Sequence, residues 1–242
     1  MRVLLFGKRS DELQPLLESK GFTITEDSPE VVITYGGDGT LLSAERKYPG
    51  LPKLAIRDNS ICIKCTSHKD EELFEKLVSG QLKVTEFTKL EAELKDQKIL
   101  AINDFVIRNQ LPTHAIRFLV FKNNEQLTKQ LVIGDGVVVS TPFGASGYYK
   151  SITGHDFSDN FGLAFNNTTE KYDPIYFKEN DVIVVKIIRG PATLSFDNSP
   201  DIFTLEGNSE VSFKPSNKHL KLYELETLRC SSCQIKRRLD IP

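Results

Sequence analysis

The spacing of apolar residues changes about a third of the way along the chain. In the first 80 residues, short β-branched runs alternate with segments whose apolar residues recur at helical spacing. Residues 31–34 form a continuous β-branched run, typical of a strand buried on both faces of a parallel sheet. Residues 2–6 and 54–56 are further short apolar runs that predict buried strands. Residues 40–47 and 70–78 have helical character, the latter with one apolar face. This alternation predicts an α/β domain of the Rossmann-like, doubly wound kind.

From about Gln81 onward, strand-like stretches follow one another with polar or Asn- and Gly-rich turns between them. The predicted strands are 82–87, 90–94, 99–108, 116–122, 127–133, 137–140, 182–188, 193–196 and 210–213. One short helix is expected at 146–152. The pattern predicts a second domain of stacked, sandwich-like β-sheets over 89–224, and an α/β domain over 1–88 with the segment 225–242.

Composition excludes several classes of protein. The chain has 242 residues, 39% of them hydrophobic, with 31 Lys and Arg against 33 Asp and Glu, which is typical of a soluble globular protein. A formal net charge of −2 argues against a nucleic-acid partner. No apolar run reaches the roughly 20 residues of a transmembrane helix, and the first residues lack the pattern of a signal peptide. We therefore expect a cytoplasmic protein without a membrane or nucleic-acid partner.

All four cysteines fall into two Cys-x-x-Cys pairs, which are Cys62 with Cys65 and Cys230 with Cys233. In a reducing compartment such pairs favour metal or redox chemistry over disulfides. Four thiolates would suit one tetrahedral zinc ion. Two other interpretations stay open: buried cysteines often act as small hydrophobic residues, and Cys62 with Cys65 could form a redox pair, although the segment lacks a thioredoxin-like context.

The segment from Thr34 to Leu42 contains three glycines, Gly36, Gly37 and Gly39, between a buried strand and a helix. Glycines there let backbone N–H groups approach a ligand, and a helix N-terminus favours an anion such as phosphate. Asp38 would repel a phosphate, so its carboxylate predicts a different role, accepting a proton from an attacking hydroxyl or binding a ribose diol. An Asp-Gly hairpin turn is the alternative, which the helical residues that follow disfavour.

Two further segments carry candidate binding groups. Residues 134–148 predict a turn, a buried strand and a loop of small residues leading into a short helix, where a flat ring has space beside Tyr148. Asn103 and Asp104 interrupt an apolar strand with an amide and a carboxylate, which suit a ribose diol or an adenine edge. By pattern alone, a sandwich loop and an ordinary turn explain the two segments equally well.

Together the three segments resemble the NAD kinase family. That family has a Gly-Gly-Asp-Gly-Thr turn after a buried strand, an Asn-Glu pair, and a Gly-Asp-Gly…Ser-Thr-Pro-x-Gly-Ser/Thr-x-Ala-Tyr segment. In this chain they stand, in the same order, as Gly36–Thr40, Asn103-Asp104 and Gly134–Tyr148. Diacylglycerol kinases and phosphofructokinases share the first motif, so the third one makes the resemblance specific.

The resemblance implies phosphorylation of the 2′-hydroxyl of the adenosine ribose of NAD, with ATP or polyphosphate as donor and Mg²⁺ or another divalent cation. Asp38 is then the catalytic carboxylate, and Gly37 and Gly39 belong to the phosphate-binding turn. The implied NAD contacts are Asn103 and Asp104 at the adenosine, Asp135 at the nicotinamide carboxamide, Ser146, Gly147 and Tyr148 at the adenine and the neighbouring ring, and Ser151 as a further polar contact. The family also implies a homodimer or homotetramer.

This chain departs from the family pattern at several positions. Asp104 replaces Glu, Gly147 replaces Ala, and residues 54–63 lack the glycines and the phenylalanine that the family has there. Two alternatives therefore stay open. One is an NAD(P)-binding protein of the same fold that has lost catalysis, and the other is a lipid kinase of the diacylglycerol kinase type, against which the third segment argues.

Overall fold

A computed structural model describes residues 1–58, 69–224 and 226–229 of the chain. The chain forms two compact units, one from Met1–Phe87 with the described residues from Leu220 onward, the other from Thr88–His219. Sequence analysis placed these divisions at 88 and at about 225.

Helices and strands alternate at the start of the chain, and strands dominate after α3. The first elements are β1 (Arg2–Phe6), a 3-10 turn (Ser10–Leu13), α1 (Gln14–Ser19), β2 (Thr23–Ile24), β3 (Val31–Tyr35), α2 (Asp38–Lys47), β4 (Lys53–Ile56) and α3 (Asp70–Val78). They are followed by β5 (Val84–Leu94), β6 (Gln97–Ala101), β7 (Asp104–Asn109), β8 (Ile116–Lys122), β9 (Glu125–Gln126), β10 (Val132–Ser140) and α4 (Tyr148–Thr153). The last are β11 (Phe161–Thr168), β12 (Ile175–Phe177), β13 (Ile183–Arg189), β14 (Ala192–Phe196), β15 (Phe203–Leu205), β16 (Glu210–Tyr223) and α5 (Glu226–Arg229).

The first unit is built on a parallel sheet in the order β2-β1-β3-β4, and the end of β16 pairs parallel to β4. All five residues of β3 are buried, as expected for a strand covered on both faces. Helix α3 turns Leu73, Phe74 and Leu77 inward, as their spacing predicts, whereas Val78, predicted on the same face, is 48% exposed at the end of the helix. Among the described residues, no helix combines the length and the hydropathy needed to cross a bilayer.

The second unit consists almost entirely of antiparallel strands. Its main path runs β15-β14-β7-β10-β8-β13-β16, with β11 and β12 joined to β10, and β6 paired to β5. Buried and half-buried residues alternate along β13, the pattern of a strand with one face toward a core. Phe105, Phe118 and Phe213 are among the large side chains fully buried in that core. The predicted architecture of an α/β domain followed by stacked β-sheets is confirmed.

Several predicted strands need correction because their pairing partners are distant in sequence. Segments 82–87 and 90–94 belong to one strand, β5, whose second half pairs with β6. Segment 99–108 divides into β6 and β7 around Ile102 and Asn103. Most of segment 127–133 lies outside any strand, and β11, which pairs with β10 through six residues, was not predicted at all.

Candidate functional site

The first cluster of site residues lies at the carboxyl end of β3, in the first unit. Gly36 donates its N–H to the Ile56 carbonyl at 2.9 Å, which places the turn beside the end of β4. Gly36 has φ +156°, and a Cβ there would overlap the side chain of Thr40, so only glycine fits. Gly37 is the N-cap residue of α2, with Asp38 as the first helical residue. The predicted strand, glycine turn and helix are confirmed.

Asp38 presents a half-exposed carboxylate at this turn. Its Oδ1 lies 3.5 Å from Nη2 of Arg57, and the exposed fractions of the two side chains are 52% and 9%. Arg57 directly follows β4, so the ends of two neighbouring parallel strands supply the two charges. The guanidinium is therefore positioned to orient the carboxylate and to stabilise negative charge beside it.

Further charged groups line the same edge. Arg9 Nη2 lies 2.6 Å from Glu12 Oε1, and its Nη1 lies 3.4 Å from Oδ1 of the buried Asp58. The hydrogen bond to Glu12, followed by the charge of Asp58, raises the pKa of the Arg9 guanidinium above its ordinary value. In open α/β sheets, ligands bind outside the carboxyl ends of the strands, which is the edge these groups occupy.

The second cluster lies in the β-rich unit, around Asn103. The Asn103 carbonyl accepts hydrogen bonds from Thr141 N at 2.9 Å and from Ser140 Oγ at 3.2 Å. A Cβ at Gly144 would overlap the Asn103 backbone, so the small-residue loop packs directly on it. The structure thus brings together two of the three segments that the sequence analysis singled out.

Asp104 begins β7 and is 9% exposed. Burial, followed by the negative charge of Asp197, raises the pKa of its carboxyl to about 7. Next to it, the side-chain oxygen of Asn103 is buried and has no hydrogen-bond partner in the described part of the chain. An acceptor of this kind is costly unless a donor reaches it, which is what a ligand hydroxyl or amine would supply.

Asp135 lies inside β10, not in the turn that its two flanking glycines predicted. The reason is that β10 pairs with β7 on one side and β11 on the other across this segment, with Gly136 opposite Arg108 and Asn166. The Asp135 carboxylate accepts hydrogen bonds from Asn167 Nδ2 at 3.0 Å and from Asn109 Nδ2 at 3.4 Å.

The residues after the small-residue loop form an exposed surface. Ser146 and Gly147 are exposed, and α4 begins at Tyr148. The Tyr148 hydroxyl accepts a hydrogen bond from Asn166 Nδ2 at 3.2 Å, and Ser151 Oγ donates to the Tyr148 carbonyl at 2.7 Å. These candidate ring contacts are therefore accessible to a ligand and held by β11 and α4.

The predicted zinc ligands Cys62, Cys65, Cys230 and Cys233 all lie outside the described residues. Within the described ranges, no three His, Cys, Asp or Glu residues are grouped in a way that could hold a metal ion.

Two residues of these clusters were missed by the sequence analysis. Arg57 was noted only as part of a segment that departs from the family pattern, and Asp197 was not noted at all. Both follow directly on a buried strand, Arg57 after β4 and Asp197 after β14. A charged residue at the end of an apolar strand is a signal that could have identified both.

Comparisons with known proteins agree with this architecture. No family model matches the chain. An NAD kinase of Sulfurisphaera tokodaii is 31% identical over 162 residues, which are 63% of this chain and 63% of that protein. The chain thus spans less than two thirds of the length of that relative.

Two solved structures extend the likeness to nearly the whole chain. A crystal structure of an NAD kinase from Archaeoglobus fulgidus in complex with ATP superposes with a TM-score of 0.78 and 16% identity, over 98% of this chain and 99% of that one. Yeast NADH kinase complexed with NADH gives a TM-score of 0.78 and 17% identity, over 99% and 86% of the two chains. The chain is therefore similar to NAD kinases in sequence and in fold.

Proposed function

We propose that the protein transfers the terminal phosphoryl group of ATP to the 2′-hydroxyl of the adenosine ribose of NAD, giving NADP. The observation that carries the proposal is the accessible carboxylate of Asp38, at a glycine turn and a helix N-terminus on the NAD kinase fold. Inorganic polyphosphate is the alternative donor.

In this reaction a bond forms between the ribose 2′-oxygen and the terminal phosphorus, and the bond from that phosphorus to the bridging oxygen breaks. Asp38 takes the proton of the hydroxyl, since its side chain is 52% exposed and its carboxylate is open to a substrate. Arg57, 3.5 Å from Asp38, holds that carboxylate in place. Phosphoryl transfer depends mainly on positioning and charge stabilisation, which these two residues provide.

The β-rich unit supplies the proposed NAD contacts. Carboxylate and amide oxygens of Asp104 and Asn103 accept hydrogen bonds from ribose hydroxyls or from an adenine amine. Asp135, fixed by two amide side chains, accepts from the nicotinamide carboxamide. Ser146, Gly147 and Tyr148 offer an open surface to the adenine and the neighbouring ring, and the exposed Ser151, hydrogen-bonded to the Tyr148 carbonyl, is a further polar contact.

A divalent cation fits the first cluster. Asp38 offers exposed carboxylate oxygens, which are the hard donors that Mg²⁺ takes together with phosphate oxygens. When bound, the cation neutralises charge on the donor phosphates. We also propose a homodimer or homotetramer and a zinc site at the four cysteines. Metal analysis of protein prepared without chelator tests the zinc site, and about one zinc ion per chain is expected.

The experiment measures NADP formation from NAD, ATP and Mg²⁺ with the purified chain and with Asp38→Asn. We expect the variant to lose at least about 10³-fold in kcat while its Kd for NAD, measured by calorimetry, changes less than about threefold. Asp96→Asn is the matched control, because Asp96 is exposed in a hairpin turn at a φ of +65° that Asn adopts readily. It should retain full activity.

The outcomes separate the candidate functions. Equal activity in Asp38→Asn and the wild type would refute the role of Asp38. NAD binding without turnover in the wild type, with either phosphate donor, would instead identify a dinucleotide-binding protein that has lost catalysis.

A further inference from the structure

We propose that Asp197 is a positioning residue of the dinucleotide site, and that Asp197 and Asp104 form a carboxyl pair that makes NAD binding depend on pH near neutrality. The inference rests on the proposed function, because NAD is taken as the ligand. All the residues involved belong to the β-rich unit.

The hydrogen bonds of Asp197 support its positioning role. Its Oδ1 accepts hydrogen bonds from the backbone N–H groups of Asn103 at 2.7 Å, Ile102 at 3.2 Å and Asp104 at 3.4 Å. Its Oδ2 accepts from Ile102 N at 3.0 Å, and its own N–H donates to the Asp104 carbonyl at 3.0 Å. One residue therefore fixes three consecutive backbone amides from a position 94 residues away.

The backbone of Asn103 is held by hydrogen bonds on both sides. Asp197 binds its N–H, while Ser140 and Thr141 bind its carbonyl. The backbone that carries this side chain is therefore fixed, and the buried side-chain oxygen of Asn103 has no hydrogen-bond partner in the described part of the chain. A preorganised acceptor binds a ligand donor without further ordering of the loop, so Asp197 contributes to affinity without touching the ligand.

The charges around Asp104 support the carboxyl pair of Asp104 and Asp197. Three N–H donors stabilise negative charge on Asp197. Asp104 is 9% exposed, and its partner on β10, Ser140, is uncharged. On β14 Phe196 pairs with Phe105, so the next residue, Asp197 itself, lies beside Asp104. Of the charged groups in the described residues, Asp197 is the one that acts appreciably on Asp104.

The protonation state of Asp104 therefore changes within the neutral range. Burial and the charge of Asp197 raise the pKa of its carboxyl to about 7, so the acid form dominates at pH 6 and the carboxylate at pH 8. The carboxylate can accept hydrogen bonds through both of its oxygens, one from each ribose hydroxyl. In the acid form one of these oxygens carries a proton and becomes a donor. We expect NAD to bind more tightly as pH rises through 7.

The first measurement uses the ligand-free protein. Side-chain carboxyl ¹³C shifts are followed by NMR from pH 5 to 9 in the wild type, and Asp104→Asn assigns the signal of Asp104. In Asp197→Asn, the midpoint of Asp104 should fall by about one pH unit or more, because a neighbouring negative charge is gone. A wild type with no carboxyl titrating between pH 6 and 8 overturns the carboxyl pair, whether or not the variants fold.

The second measurement is the Kd for NAD at pH 6, 7 and 8. For the wild type we expect a fivefold to tenfold decrease from pH 6 to 8, roughly the change in the ionised fraction of a group with a pKa of 7. The dependence should vanish in Asp104→Asn and move to lower pH in Asp197→Asn, with weaker binding at every pH. Asp201→Asn is the matched control, an exposed carboxylate of the same segment, and should follow the wild type.

These outcomes separate the inference from the proposed function. A Kd and a pH dependence in Asp197→Asn equal to those of the wild type overturn the positioning role. Absence of NAD binding at every pH, with the carboxyl titration as expected, overturns the proposed function and the pH-dependent binding while confirming the carboxyl pair.

Discussion

A buried ion pair in the first unit links α2, which begins at Asp38, to β4. The Lys53 ammonium and the Glu45 carboxylate are in contact, and their exposed fractions are 0% and 2%. Lys53 Nζ also donates to the Tyr48 carbonyl at 2.6 Å, and Glu45 Oε1 accepts from Gly50 N at 3.0 Å. We expect Lys53→Met to destabilise this unit strongly, because it leaves the Glu45 carboxylate buried without its cation.

The magnitude follows from the burial of both charges. Removing one partner of a buried pair costs about 3–5 kcal/mol of the free energy of unfolding. For a chain of this length, that corresponds to a Tm lower by roughly 6–20 °C. The double variant Glu45→Gln/Lys53→Met removes both charges and should recover about 2 kcal/mol of that loss.

Urea unfolding followed by circular dichroism measures these free energies. The control is Lys186→Met, which breaks an ion pair with Glu210 whose side chains are 35% and 53% exposed. Exposed pairs are worth about 0–1 kcal/mol, so the control should unfold close to the wild type. The reasoning is refuted if Lys53→Met loses no more stability than Lys186→Met, or if the double variant is as unstable as Lys53→Met.

Three further predictions follow from single contacts. Gly144→Ala should weaken NAD binding at least about tenfold, because the new Cβ would overlap the Asn103 backbone. Gly207→Ala is the control, an exposed turn glycine of the same unit whose Cβ would lie 3.6 Å from the nearest atom, and it should bind NAD within about twofold of the wild type. Equal affinities of the two variants in calorimetry would contradict this. Arg57→Met should lower kcat at least about tenfold with little change in the KM for NAD, and Arg57→Lys should restore part of the rate; a rise in KM alone would argue against a role beside Asp38. The pKa of Asp181 is lowered to about 2, mainly by the backbone N–H of Lys178 and then by Lys122. The contribution of the Asp181 carboxylate to the free energy of unfolding is therefore present above about pH 4 and lost as pH falls through about 2. Asp181→Asn should cost about 1 kcal/mol at pH 7 and only a small fraction of that at pH 2, where about half of the native carboxyl is protonated; an equal loss of unfolding free energy at both pH values would refute this.

Elements with a strong local pattern were predicted well. Helix α3 has the predicted bounds, Asp70–Val78, because its apolar face repeats every three or four residues. Strand β8 likewise has the predicted bounds, Ile116–Lys122. Helix α2 was predicted from residue 40 to residue 47, and it begins two residues earlier, at Asp38, with Gly37 as its N-cap.

Predictions failed where pairing with distant strands overrides local preference. Gly134 and Gly136 have the composition of a turn, yet they lie in β10 because β11 and β7 hydrogen-bond to that segment. Strand β5 is one strand of 11 residues, although polar residues divide its pattern into two.

The sequence was sufficient to identify α3, β8, the glycine turn with Asp38 and the Asn103-Asp104 pair, because each is contained in one short segment. Tertiary structure alone decided that Arg57 faces Asp38 and that Asp197 binds the backbone of Asn103. A segment's own pattern shows that it forms a strand and which face is buried, but not which strand pairs beside it. The positions of Arg57 and Asp197 follow from such pairings, β4 beside β3 and β14 beside β7, so their roles appear only once the sheets are assembled.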